Sequence, residues 1–129
     1  MGLGTMRSMP ILLAALLAAA PAWGQAETQR GQCHGAAAAP DAAIAACTAL
    51  LEEDRDSPVD LAKDLANRAF AYRSKGQTDL AIADATRAIR IKADYAFAYN
   101  IRGIAHADKG LNERAVADFS QAIYLKHDY

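Results

Sequence analysis

The chain has 129 residues, 53% of them apolar, yet 32 are alanine, so large core-filling side chains are scarce. Fourteen Lys and Arg against 15 Asp and Glu leave a formal charge of −1, which excludes the strong positive field that gathers nucleic acid or an anionic membrane surface. An alanine-rich chain of this length with four prolines and eight glycines suits one domain of closely approaching helices, and excludes a large β-sandwich or a two-domain enzyme.

Residues 1–26 carry a single charged side chain, Arg7, and an unbroken apolar run from Ile11 to Ala20. The run is about half the ~20 residues of a transmembrane helix, and small residues Ala22, Gly24 and Ala26 follow it in the alternation that signal peptidases accept. A secretory signal is therefore expected, cleaved after Gly24 or, preferably, Ala26, giving a periplasmic or secreted protein that does not insert in the membrane after cleavage. In an oxidising compartment Cys33 and Cys47 are expected to pair. Closing a loop of about 15 residues this way contributes at best ~3 kcal/mol. A zinc site from Cys33, His34 and Cys47 has the wrong ligand spacing and no obvious fourth ligand, and Arg30 stands where a haem-attachment motif would need its first cysteine. No metal and no cofactor is expected.

From residue 57 the chain repeats itself. Residues 62–95 laid over 96–129 at an offset of 34 are identical at 13 positions, among them Arg68/Arg102, Lys75/Lys109, Gly76/Gly110, Asp84/Asp118, Ala88/Ala122 and Ile89/Ile123. Each unit reads as two helices. In the first unit, residues 57–95, Ser57 caps, Pro58 takes the first helical position and Asp60 completes the capping pattern before Leu61, Leu65, Ala69 and Tyr72 recur at helical spacing. Gly76 ends that helix, and a second begins at about Asp79 with Ala81, Ala85 and Ala88 on one stripe. In the second unit, residues 96–129, Asp94 is the expected cap, Gly110 the stop, Asn112 the next cap, and Ala115, Phe119 and Ala122 the stripe. Carboxylates at helical spacing, such as Asp60 with Asp64, read as first-turn charges rather than an acid/base couple. His106 and His127 read as ordinary helix residues. With no serine in a nucleophile setting and no phosphate loop, no enzymatic activity is expected.

These residues resemble the tetratricopeptide repeat family: Ala69 and Gly103 match its small residue in the first helix, Tyr72 its tyrosine, and Ala81, Ala88, Ala115 and Ala122 its second-helix alanines. His106, Ala85, Ala93 and His127 depart from its pattern. Upstream, residues 41–51 align with residues 79–89 at an offset of 38, with five of 11 identical, so a half-unit precedes the repeats. Residues 27–56 then form a capping segment and half-repeat helix, with Cys33–Cys47 pinning Gln32 to Ala39 across the end of the stack. The chain is similar to exported bacterial members that begin with a cysteine-bearing half-repeat. The resemblance implies an all-α, right-handed solenoid of about five antiparallel helices that binds a protein or peptide in a concave groove. By position that groove takes Lys63, Ala66, Phe70 and Arg73 from one repeat and Phe97, Asn100, Ile104 and Ala107 from the next. Apolar side chains of a partner would sit on Phe70, Phe97 and Ile104 unless Phe70 and Ile104 are core residues. The family's chaperone-tail clamp is not expected, because Phe97 and Ile101 stand where it needs positive charge and only Asn67 fits. In the alternative reading, an uncovered apolar edge of Val116, Phe119, Ile123, Tyr124 and Leu125 serves self-association or permanent membership of an envelope complex.

Overall fold

The computed structural model describes Gly4, residues 21–35, 38–53 and 57–126. The apolar run Ile11–Ala20, on which the export reading rests, lies outside them, as does His127. Within the described residues the fold is a short all-helical solenoid of six helices: α1 (Ala22–His34), α2 (Pro40–Glu52), α3 (Pro58–Ser74), α4 (Thr78–Ile91), α5 (Ala96–Asp108) and α6 (Asn112–Lys126). They pair as three hairpins, α1 with α2, α3 with α4 and α5 with α6, and α3 touches both α1 and α5.

The sequence shows why the repeat helices start and stop where they do. Ser57 Oγ accepts from the Asp60 amide at 3.2 Å and Pro58 opens α3, removing an amide that would have no partner in the first turn. Both first helices end alike. Gly76 and Gly110 each take φ 74°, and the following amides, Gln77 and Leu111, reach back to Tyr72 and His106 carbonyls at 2.9 Å. That closure needs a residue without Cβ strain in the left-handed region. Two expected caps differ. Asp94 pairs with Lys92 at 2.6 Å, and Tyr95 holds the N-cap position of α5 without a side-chain capping bond. Ala115 N–H bonds to the Leu111 carbonyl at 3.0 Å, so Leu111 holds the capping position and Asn112 is already the first residue of α6.

The core is made largely of alanine. Ala62, Ala66, Ala88 and Ala98 surround Leu65, while Ala69, Ala81, Ala85 and Ala105 surround Ile101, and Phe97 packs against both groups. Side chains this small let helix axes approach closely, and the energy then comes from many short contacts rather than a few large residues. Where the second unit departs from the first, it compensates. Phe119 replaces Ala85, and its ring lies where a Cβ on Gly103 would be only 2.9 Å away. Ala69 over Ala85 thus becomes Gly103 over Phe119.

Charged groups are buried at the same places in successive units. Arg68 donates through Nε to Asp84 Oδ2 at 2.6 Å and through Nη2 to Oδ1 at 2.9 Å, while Nη1 reaches Thr48 Oγ1 at 3.1 Å. Arg102 repeats this with Asp118 at 3.0 and 2.8 Å and Thr86 at 3.3 Å. Each Arg therefore ties its own hairpin internally and binds the second helix of the preceding hairpin. The bond to Asp84 outweighs burial and holds the Arg68 guanidinium above its ordinary value. The exposed pairs Lys75–Asp41 and Lys109–Asp79 follow the same register and contribute little energy.

The upstream region is more than the expected half-unit. Residues 22–34 form a helix, so Gln32 and Cys33, the start of the segment expected to lie across the end of the stack, are the end of α1. Thr48 stands to Arg68 as Thr86 stands to Arg102, and Asp41 stands to Lys75 as Asp79 stands to Lys109, so α2 occupies the place of α4 one unit earlier. Continuing that alignment puts Arg30 and Gly31 at the positions of Arg68 and Ala69. At the position of Asp84, however, stands Ala46. The first hairpin is instead joined covalently by Cys33–Cys47, packed with Ala46 and Leu50.

Three outcomes test this account. Reduction of Cys33–Cys47 should cost up to about 3 kcal/mol and lower the melting temperature while α3 to α6 keep their amide protection; unchanged melting after confirmed reduction would refute the role given to the bond. Arg68→Ala should cost about 3–5 kcal/mol in urea unfolding because it leaves Asp84 buried and unpaired, whereas the double variant Arg68→Met, Asp84→Leu should lose much less. Gly103→Ala should lower stability by about 1 kcal/mol despite the better helix propensity of alanine, and should raise it once Phe119→Ala has freed the space.

Candidate functional site

The first helices of the three hairpins, α1, α3 and α5, lie side by side and leave a cleft of about 430 Å³. Its floor and one wall come from α3 and α5: Asn67, Phe70, Ala71, Ser74 and Phe97. The opposite wall is the end of α1 and the turn into α2, with Cys33, His34, Gly35, Ala38, Pro40 and Ala43. Phe70 is 45% exposed, a large apolar ring held open to solvent on a helix whose other face is packed. Phe97 presents its ring to the cleft while remaining half-buried, 6.0 Å from the Tyr95 ring.

Behind the α1 wall sits a polar pair. Asp64 is 1% exposed, and its Oδ1 accepts from His34 Nε2 at 2.5 Å, joining α1 to α3. The burial of Asp64 is acceptable because it is hydrogen-bonded. Nearby, burial raises the Tyr95 phenol above its ordinary value, and the Asp64 charge adds to the shift. A buried histidine, His106, lies 3.0 Å from Asp118 through Nδ1 and shares that carboxylate with Arg102.

The residues expected in the groove are only partly gathered here. Phe70 and Phe97 line the cleft together. Lys63 is exposed on α3, with its carbonyl accepting from Asn67 Nδ2 at 2.8 Å, and Ala66 is buried in the core. Arg73 is bound through Nε to Asp108 at 2.8 Å, so its charge ties α3 to α5. Asn100 and Ile104 are half-buried on α5 outside the cleft lining, and Ala107 is exposed. Ile101, the second place where a chaperone-tail clamp needs charge, is buried at 2% exposure. On the last helix, Val116, Ile123 and Tyr124 are 63%, 58% and 66% exposed, and Leu125 is half-covered. Phe119 departs from the expected edge because its ring turns inward onto Gly103.

Sequence reasoning missed the α1 wall, and it read Asp64 as a first-turn charge where the structure buries it at 1% exposure against His34. The wall could have been found by extending the offset-38 alignment upstream to Arg30 and Gly31. Asp64 gives no such signal, since it meets His34 across 30 residues of chain. Among the described residues, no helix is long and apolar enough to cross a membrane.

Comparison with known proteins agrees with this architecture. The tetratricopeptide repeat family model matches residues 65–95 and 98–129. Among solved structures, the chain is similar to the second TPR of Spaghetti (RPAP3) bound to the HSP90 peptide SRMEEVD, with a TM-score of 0.68 and 28% identity over 78% of this chain and 92% of that one. No curated protein matches the sequence. The α3–α4 and α5–α6 hairpins, with their shared glycine stops and Arg–Asp–Thr contacts, are therefore two tetratricopeptide repeats, and the chain carries them at residues 65–95 and 98–129.

Proposed function

We propose that this protein is a non-enzymatic interaction module of the periplasm or cell envelope that holds a peptide segment of a partner protein in the cleft between α1, α3 and α5. The observation that carries this reading is the exposed Phe70 ring, set beside Phe97 in an open cleft of about 430 Å³. Keeping a phenylalanine in water is unfavourable, and covering it with a partner side chain recovers apolar burial. The peptide-bound solved relative supports the same kind of ligand. Its acidic peptide is not transferred here. Phe97 and the buried Ile101 replace the positive charges of a chaperone-tail clamp, and Arg73 is held by Asp108. The segment that fits carries a bulky apolar side chain for Phe70 and Phe97, with Asn67 and Ser74 beside it for backbone hydrogen bonds. The export reading rests on the apolar segment before Pro21 and on paired cysteines, which suit an oxidising compartment.

A second reading, self-association or constitutive membership of an envelope complex, draws on the exposed Val116, Ile123 and Tyr124 of α6. Ile82 and Ile89 on α4, the counterparts of Val116 and Ile123, are partly buried against the core, so this face has the chemistry of a helix contact.

The test is capture from envelope extract by wild-type chain and by a Phe70→Asp variant shown by circular dichroism to be folded. We expect the variant to retain the partner at least about tenfold less well, equivalent to about 1.4 kcal/mol. Equal retention by both would overturn the cleft reading. Sedimentation of Val116→Asp, Ile123→Asp against wild type then decides whether α6 holds a second copy.

A further inference from the structure

Cys33, His34 and Asp64 place a sulfur, an imidazole nitrogen and a carboxylate oxygen within 4.8 Å of one another; Cys47 Sγ lies outside that group, bonded to Cys33 Sγ, and on reduction the two sulfurs must separate before both can face one ion. The four residues come from three helices, α1, α2 and α3. In the oxidised chain both sulfurs are occupied by each other. We infer that, when the Cys33–Cys47 bond is reduced, these four residues form a binding site for one zinc ion.

The donor set is the ground for choosing zinc. Two thiolates, one imidazole and one carboxylate make four ligands, the number a closed tetrahedral zinc site takes, and the sulfurs select a thiophilic cation over magnesium or calcium. Adjacent ligands in such a tetrahedron lie roughly 3.2–3.8 Å apart given metal–ligand distances of about 2.0–2.3 Å. Cys33 Sγ already lies 3.7 Å from Asp64 Oδ1. His34 Nε2, at 2.5 Å from the same oxygen, must move back by somewhat less than 1 Å, and its side chain, one third exposed, has the freedom to do so. The way in is the cleft, since Cys33 and His34 are on its wall.

A dithiol reductant delivers two electrons and two protons to the disulfide, producing two thiols and its own disulfide. Zinc then displaces the thiol protons to solvent and binds the two thiolates, neutral His34 and ionised Asp64. One covalent cross-link between α1 and α2 is thereby replaced by a coordinated link that also includes α3.

The experiment is titration of the reduced full-length chain with cobalt(II) as a spectroscopic probe and then zinc, under a non-metal-binding reductant, with the oxidised chain as control. We expect one cobalt per chain with the intense visible bands and thiolate charge-transfer band of a tetrahedral sulfur site, displacement by one zinc, and none of this in the oxidised chain. Zinc should also slow alkylation of both cysteines. His34→Ala and Asp64→Asn should each weaken zinc binding by about tenfold or more. Equal affinity in His34→Ala and wild type would reduce the site to a bare thiol pair and overturn the inference, as would failure of zinc to protect the thiols. Should Asp64→Asn not fold by circular dichroism, His34→Ala, which alters a partly exposed side chain, carries the test by itself.

Discussion

The buried Arg–Asp–Thr contact is what gives this solenoid its register. An alanine core supplies close approach but little directional information, because one small side chain can slide past another at small cost. A bidentate guanidinium–carboxylate pair cannot slide, since a shift along the helix would leave two buried charges unmatched. Arg68 and Arg102 each use two nitrogens on an aspartate of their own hairpin and a third on a threonine of the hairpin before. The contact therefore fixes both the pairing within a unit and the stacking between units. Aromatic faces at Tyr72 and Tyr99 lie 5.6 Å from the two guanidinium groups and hold them in place from the side.

The cleft depends on that register. Phe70 and Phe97 meet because α3 and α5 are held one repeat apart, and His34 reaches Asp64 because α2, fastened to Arg68 through Thr48, sets the position of α1. None of the cleft residues takes part in the Arg–Asp contacts. Side chains lining the cleft can thus vary while the frame persists, which is how one repeat architecture presents different binding surfaces.

The repeats were legible from the sequence for a physical reason: glycine stops, small stripe residues and paired Arg and Asp recur at a fixed offset because each does the same mechanical task in each unit. Gly76 and Gly110, Ser57 and Pro58, and the alanines of the second helices all act where their spacing placed them. The first hairpin was harder to read. α1 carries Gly24, Gly31 and a run of Gln, Thr and Arg with Cys33 as its one buried residue, so no apolar stripe announces it. Asp94 looked like a cap because its residue type suits one, but Lys92 two residues away takes its carboxylate. Phe119 read as an edge residue because apolar periodicity records that a side chain lies on a stripe, not which neighbour has made room for it; the missing Cβ of Gly103 makes that room. Of the groove, Phe70 and Phe97 were placed by repeat position alone. The charge state of the surface was not legible, because Arg73 finds Asp108 only once α3 and α5 stand side by side.

Ala46 stands where the later hairpins have Asp84 and Asp118, and the disulfide joins α1 to α2 in that hairpin. The two ends of the molecule consequently answer to different properties of their surroundings. The later hairpins are joined by ion pairs, Arg68 with Asp84 and Arg102 with Asp118. A reducing environment releases the first hairpin and does not touch an ion pair. Because neighbouring hairpins in a solenoid are coupled through their shared faces, the first can loosen while the others stay closed, so the thiol–disulfide balance of the compartment, with any cation the freed sulfurs take up, sets how firmly the α1 wall of the cleft is held.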